Sequence, residues 1–515
     1  MGISAHQFWR EMDAWKFEKL NRLPRVWRDA VAKKYGILAK KSLREANEFL
    51  IALIEPLEGA IDIGAEDGEL QDLAKRLAEK CRWNFQNYVF LGKEFDEYYD
   101  FWAWDEALKM ANEYGVRYPF EHDMNQQKAR LVDHTFWLRN LRNSHAKARE
   151  AAARDAGIVH KKHDVYVSDD TLERRKQQLR RNRELLGQVE MVSEDGEIMK
   201  LSEIAAAGMS NHENRRAELM TRIAGFEALS VKYGHKAIFV TLTTPSRMHR
   251  MLSTGAENPK YDGTKPDDAQ KYLVQTWARA RALLAKHDVK YYGLRVAEPH
   301  HDGTPHWHMI LFYDGKPSTK NKLKWNITGK FIEADREELH RDISPRVKFV
   351  DINPSKGTAC GYVAKYVAKN IGGIEGESDD EVGKGSSSED NAARVEAWAS
   401  TWRIRQFQQI GGHSVTVWRE LRRVDAGQLE GKGVRFVRLW DSVQKTKERN
   451  ASFAAFIEAM GGLETPPRES LYRVDYDAIE VEGKYGKTWI LKPLGVGERF
   501  GFEVVANNRK VWQRM

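Results

Sequence analysis

Two histidines one residue apart, His306 and His308, lie in the run KYYGLRVAEPHHDGTPHWHMILFY at 290–313. That run reads as two β-strands joined by a turn containing Asp302 and Gly303. Side chains two apart on a strand share a face, so both imidazoles point the same way. Closing the hairpin at the turn places Glu298 roughly opposite His306 on the neighbouring strand. Two imidazoles and a carboxylate then converge with coordination positions left open. Such a set suits a catalytic divalent metal better than a closed structural site. A His-x-His pair on a strand is more often simply packed or solvated. This one is flanked by Trp307 and Met309 in a strand apolar on both faces, where two buried imidazoles need partners.

A second set falls on a helix expected from about Thr358 to Ile371. At about 100° per residue, Cys360, Val363, Ala364, Val367 and Ile371 form one apolar stripe. Tyr362, Lys365, Tyr366 and Lys369 fall on the opposite side. Paired tyrosines four apart are usually core aromatics, but this helix already has a separate core face. Two phenols beside two lysines are therefore spare for chemistry. A phenol has a pKa near 10. As a nucleophile it needs an activated phosphate to attack and cations to stabilise the phenolate.

The elements that must position these residues begin at KAIFVTLTTP (236–245), a strand stopped by proline. A helix is expected near 269–287, then the hairpin, then a strand from Arg346 leading through Asn353 and Pro354 into the tyrosine helix. This order predicts an α+β fold: an antiparallel sheet flanked by helices, with a largely helical N-terminal region. Residues 1–115 read as a helical region dense in Trp and Tyr, and 116–235 as a second, more basic helical region. There Arg174, Arg175, Lys176, Arg180, Arg181 and Arg183 surround much of one helix, to which Leu172, Leu179, Leu185 and Leu186 give an expected buried stripe. The chemistry-bearing domain spans 236–423. Within it, 372–391 (GGIEGESDDEVGKGSSSEDN) is rich in Gly, Ser and acidic residues and reads as a flexible loop. Basic and aromatic residues interleave again around Trp398, Trp402, Arg403, Arg405, Trp418 and Arg419. Residues 424–515 carry no interpretable motif.

Together, these residues resemble a known superfamily. HWH at 306–308 matches the His-hydrophobic-His signature of the HUH endonucleases, and YVAKY at 362–366 matches the two-tyrosine motif of rolling-circle replication initiators. FVTLTT at 239–244 is similar to the first motif of that superfamily. More closely, TLTTPSRMH, RVAEPHHDGTPHWHMILFY, GYVAKYVAKN and the upstream SNHENRRAELMTRIAGFE resemble the replication gene A proteins of temperate tailed phages, over about 166–423. The resemblance implies a site-specific single-strand endonuclease and strand transferase. Mg or Mn would be held by His306, His308 and Glu298, with His300 and His301 close enough to compete for the third place. Tyr362 or Tyr366 would attack phosphorus, keep the 5′-phosphate and release a 3′-hydroxyl primer, with Lys365 and Lys369 beside them. The partners implied are single-stranded origin DNA and a host helicase, and the implied compartment is the host cytoplasm.

Composition bounds these readings. The 515 residues carry 83 Lys+Arg against 75 Asp+Glu, a formal charge of +8, and 41% are hydrophobic. Mean hydropathy of -0.65 and the lack of a long apolar run argue against a membrane protein. No signal-peptide core opens the chain. Two cysteines, Cys81 and Cys360, cannot build a disulfide framework, which points to a reducing compartment. Mild basicity fits a polyanionic partner. Arg174, Arg175, Arg180, Arg181, Arg403 and Arg405 are candidates for DNA contact, with salt-sensitive binding as the expected signature. One rival reading is a non-catalytic nucleic-acid-binding replication or regulatory protein with a structural His pair. Another is a metal hydrolase or oxygenase, which leaves the tyrosine-lysine face unused. A built-in P-loop is not expected, because Gly486-Lys487-Thr488 has Val481 where the first glycine belongs.

Overall fold

The computed structural model describes residues 5–58, 61–90, 96–335, 345–353, 355, 357–371, 388–447, 449–501, 504–510 and 512–514. The chain divides into two compact units. The first comprises Met1–Asp164, Ser168–Thr171 and Val481–Thr488. It is built from helices, including Arg28–Ala39, Leu43–Glu58, Asp67–Phe90 and His134–Asp155. Their amphipathic spacing buries Trp27, Val31, Leu50 and Leu53 in one cluster, and Leu77, Cys81, Phe85, Trp137 and Leu141 in another. Trp83 and Trp102 stay exposed. The sequence Gly486-Lys487-Thr488 opens a β-strand at a hairpin turn, not a helix, so it forms no phosphate-binding loop.

The second unit comprises Val165–Val167, Leu172–Glu480 and Trp489–Met515. Its centre is a five-stranded antiparallel sheet, ordered Val347–Asp351, Lys236–Thr243, Pro305–Tyr313, Tyr292–Pro299 and Phe407–Ile410. The fold is therefore α+β, with a helical N-terminal region, as the element order implies. Alternation assigns the faces. Trp307 points to the helix Pro266–Lys286, where its indole N–H donates to Gln270 at 2.9 Å. Ile310 and Phe312 enter the opposite core with Leu294 and Val296 of the next strand. That core also takes Leu219, Ile223 and Phe226 of the helix His212–Tyr233, and Val363 and Val367 of the helix Ala359–Asn370. It continues into Leu439, Phe453, Phe456 and Val496. His306 and His308 stand in line with Ile310 and Phe312, at the end of the same face.

Two sequence-based readings need correction. The last part of the expected flexible loop, Ser388–Asn391, opens the helix Ser388–Trp402, and Asn391 is buried. A stretch read by average composition misses such a helix start; residues 372–387 lie outside the described ones. The leucine stripe of the helix Asp169–Gln188 is buried only at Leu172. Leu179 and Leu185 are 37% and 59% exposed. Periodicity marks an apolar face but cannot supply an element to cover it.

One glycine in the site hairpin is sterically required. Gly293 pairs with Leu311 at φ 156°, and a Cβ there would stand 1.8 Å from the Ile310 carbonyl oxygen. Gly293→Ala is expected to destabilise the fold by about 3 kcal/mol or more. Urea melts followed by tryptophan fluorescence measure this; an unchanged midpoint would contradict the register.

Candidate active site

The histidine strand and its neighbour are joined by a turn at 300–304. The His300 amide donates to the Thr304 carbonyl at 2.7 Å, and Gly303 takes φ 76°. The Thr304 amide donates to the buried Asp302 carboxylate at 3.0 Å. This closure sets Glu298 directly across from His306 in the antiparallel register. Glu298 and His306 are buried and His308 nearly so. One nitrogen from each histidine and one oxygen of Glu298 all lie within 4.8 Å of one another. The Nε2 atoms of the histidines are 2.9 Å apart, and that of His308 is 3.8 Å from Oε2 of Glu298.

These donors fit a divalent cation. Ligands 90° apart around an ion at about 2.1 Å stand about 3 Å from one another, which is the spacing of the two Nε2 atoms. Two of the three donors, His308 and Glu298, have hydrogen-bond partners that orient them as a metal site requires. Thr241 Oγ1 lies 3.2 Å from Nδ1 of His308, leaving Nε2 for the cluster. The His300 ring stacks on His306 with centroids 4.0 Å apart, and His301 turns away to the Leu252 carbonyl at 3.0 Å. Among the described residues, the group that could hold a metal is Glu298, His306 and His308, and neither of these two histidines belongs to it. Burial, reinforced by the neighbouring His249, holds His300 well below the ordinary histidine pKa, so it stacks as a neutral ring.

The tyrosine helix, Ala359–Asn370, is fixed at both ends. Thr358 caps it by accepting from the Gly361 amide at 2.9 Å, and the Glu227 carboxylate accepts from the amides of Ala359 and Cys360 at 2.6 and 3.3 Å. At the other end Asn370 Nδ2 donates to Glu298 Oε1 and, at 2.6 Å, to the Tyr366 carbonyl. Gln406 in turn donates to Asn370 Oδ1 at 3.0 Å. The apolar stripe expected of this helix is buried at Val363, Val367 and Ile371. Tyr366 is half-buried, its ring 4.3 Å from that of His308 and stacked on Phe239 at 5.4 Å. Tyr362 is 37% exposed and lies 6.2 Å from the same phenylalanine. Lys365 is exposed, whereas the Lys369 side chain lies outside the described residues.

Asn370 and Gln406 thus support the site without having been given a role from sequence, and Phe239 and Thr241 do so from within FVTLTT, where the motif was marked but not these two contacts. Asn370 closes the stretch GYVAKYVAKN, but nothing local indicates that it reaches a carboxylate 72 residues away. Among the candidate arginines, Arg175 is bound to Glu396 at 2.6 Å, and Arg180 pairs with Glu184 at 3.1 Å on its own helix. Arg174 is half-buried; Arg181, Arg403 and Arg405 are exposed. Trp398, Trp402 and Trp418 are all buried and offer no stacking surface.

Residues 71–374, which include both the metal-type cluster and the tyrosine helix, match a protein family described as bacteriophage replication gene A protein. Individual relatives agree. The chain is 38% identical over 376 residues to the replication gene A protein of Escherichia phage 186, covering 72% of this chain and 53% of that one. It is 39% identical over 337 residues to a probable replication protein, P12, of Pseudoalteromonas phage PM2, covering 65% and 51%. Against a probable replication endonuclease from a prophage-like region of Salmonella typhi it is 36% identical over 371 residues, covering 70% and 45%. The chain spans about half the length of the curated relatives it matches. No solved structure matches it.

Proposed function

The chain belongs to the bacteriophage replication gene A protein family, and from that premise we propose that it is a replication initiator endonuclease of the HUH type. It nicks single-stranded origin DNA with a tyrosine, keeps the 5′-phosphate as a phosphotyrosine, and leaves a 3′-hydroxyl to prime rolling-circle synthesis. The observation that carries this reading is the Glu298–His306–His308 cluster with Tyr366 packed on its second histidine.

Bound between Glu298, His306 and His308, Mg or Mn would draw charge from the scissile phosphate. The chain's own residues do the rest. The phenol oxygen of Tyr362 or Tyr366 attacks phosphorus as its proton leaves, and the P–O3′ bond breaks with the 3′-oxygen taking up a proton. Phe239, stacked beside His308 and Tyr366, holds the nucleophile's ring against the ligand set. Lys365, with Lys369 by resemblance, supplies positive charge for the phenolate and the adduct's phosphate. Arg174, Arg175, Arg180, Arg181, Arg403 and Arg405 are proposed to attract the DNA, and of these Arg180, Arg181, Arg403 and Arg405 are exposed. No described helix is long and apolar enough to cross a membrane. The host cytoplasm is the proposed place of action, with unwinding left to a host helicase.

The test is to incubate the protein with labelled single-stranded candidate origins plus Mn or Mg and look for an adduct that survives denaturation. A DNA-linked protein band that disappears with chelator is expected. Binding without any adduct, across a set of origins spanning the phage genome, would favour the non-catalytic reading.

A further inference from the structure

Beside the edge strand Phe407–Ile410 lies a cavity of about 640 Å³, outside the ligand set. Four arginines line it. Arg215 and Arg222, two turns apart on one helix, come from one side, and Arg405 and Arg419 from the other. Among the described residues, Glu218 is the carboxylate that pairs directly with this group, while Glu396 acts on Arg215 and Glu420 on Arg419 without a direct ion pair to them. Arg419 forks onto it at 2.7 and 2.8 Å, and Arg222 approaches it at 3.3 Å. The Nε atoms of Arg215 and Arg222 are buried with no acceptor in the protein. Burial pulls the Arg222 pKa below its ordinary value, opposed by Glu218 and aided by the nearness of Arg419 and Arg405. Buried guanidinium donors without acceptors, and an excess of positive charge, call for an anion.

The cavity is too large for a bare phosphate, and its wall carries other chemistry. Phe407 offers an aromatic ring. Gln409 spends its amide N–H groups on the carbonyls of Gly411 and His413, which leaves its buried Oε1 without a donor. Gln406 lines the cavity and also bonds Asn370, the residue that holds Glu298. An anion joined to a flat group with N–H donors, one step from the ligand set, describes a nucleotide.

We infer that this cavity seats one nucleotide of the single-stranded substrate, its phosphate on Arg215, Arg222 and Arg405 and an amino-bearing base edge against Gln409. Phosphate contacts of this kind set the strand's register, and the base contact adds sequence preference. The inference rests on the proposal that the chain acts on single-stranded DNA.

The experiment uses the full chain and a fluorescein-labelled, mixed-sequence 20-nucleotide single strand in chelator, followed by anisotropy across salt. Arg222→Gln with Arg405→Gln is expected to weaken binding at least about tenfold. It should also flatten the salt slope by about 1.4, at about 0.7 per lost phosphate contact. Mn binding at the histidines, read by calorimetry, should be unchanged and reports that the variant is folded. If the double variant fails to fold, the exposed Arg405→Gln alone should flatten the slope by about 0.7. Ultraviolet cross-links of the parent chain should map by mass spectrometry to residues 404–419. Parental affinity and slope in a folded variant, or cross-links confined to other segments, would overturn the assignment. A parent that forms no covalent adduct while the variants still lose affinity would instead sink the nuclease reading and leave the cavity's role intact.

Discussion

Replacing Tyr362 and Tyr366 together by phenylalanine is expected to remove covalent attachment to DNA, by at least about 10³-fold, while single-strand binding and the fold persist. Phenylalanine keeps the rings that pack on Phe239 and His308 and deletes only the two oxygens able to attack phosphorus. The single variants should differ from this and from each other. Residues four apart on a helix have Cβ atoms about 5–6 Å apart, so two phenols can alternate at one phosphate. Each single variant should therefore cut once yet lose the complete cycle of cleavage and rejoining. Tyr366, already against His308, is expected to make the greater contribution to the first cut. Denaturing gels score the adduct, and peptide mapping locates the DNA 5′ end. Adduct formation by the double variant would falsify the tyrosine mechanism. Full cycling by either single variant would show that one phenol suffices.

His306→Ala and His308→Ala should each lower affinity for Mn by at least about 100-fold and abolish cleavage. Each removes one of three donors whose spacing fits a single ion. Calorimetry with Mn reads the loss independently of activity, and binding of single strands in chelator should change less than about twofold. Asn370→Ala gives a graded comparison. It leaves all three donors in place but frees Glu298 from its amide partner, so a loss of about 10–100-fold is expected. Unchanged Mn affinity in both histidine variants would place the ion elsewhere.

The hairpin and the convergence of Glu298, His306 and His308 were legible because their determinants are local. A period of two, an Asp-Gly turn and a carboxylate at the matching distance define which side chains meet. The core face of the tyrosine helix was legible for the same reason, as Val363, Val367 and Ile371 recur at helical spacing. What holds the two motifs together was not. Asn370, Gln406 and Thr241 act across long sequence separations, and an amide or hydroxyl in isolation gives no sign of its partner. Nor did composition reveal which arginines are already occupied: Arg175 reads like Arg181 in sequence, yet Glu396 neutralises only the former.

The pairing of Glu298 with His306 also limits how this site can diverge. Five residues, 300–304, span the turn, and side chains alternate faces along both strands. Losing or gaining one residue there, with the pairing beyond it preserved by a slip of the strand, would turn both imidazoles away from the carboxylate. Substitutions within the turn leave the alternation untouched wherever Gly303 and the Asp302 contact survive. Outside Asp302 and Gly303, descent in this segment is therefore constrained more in length than in composition. Randomising the remaining turn positions at fixed length should give many more functional clones than single-residue insertions or deletions, which should give almost none.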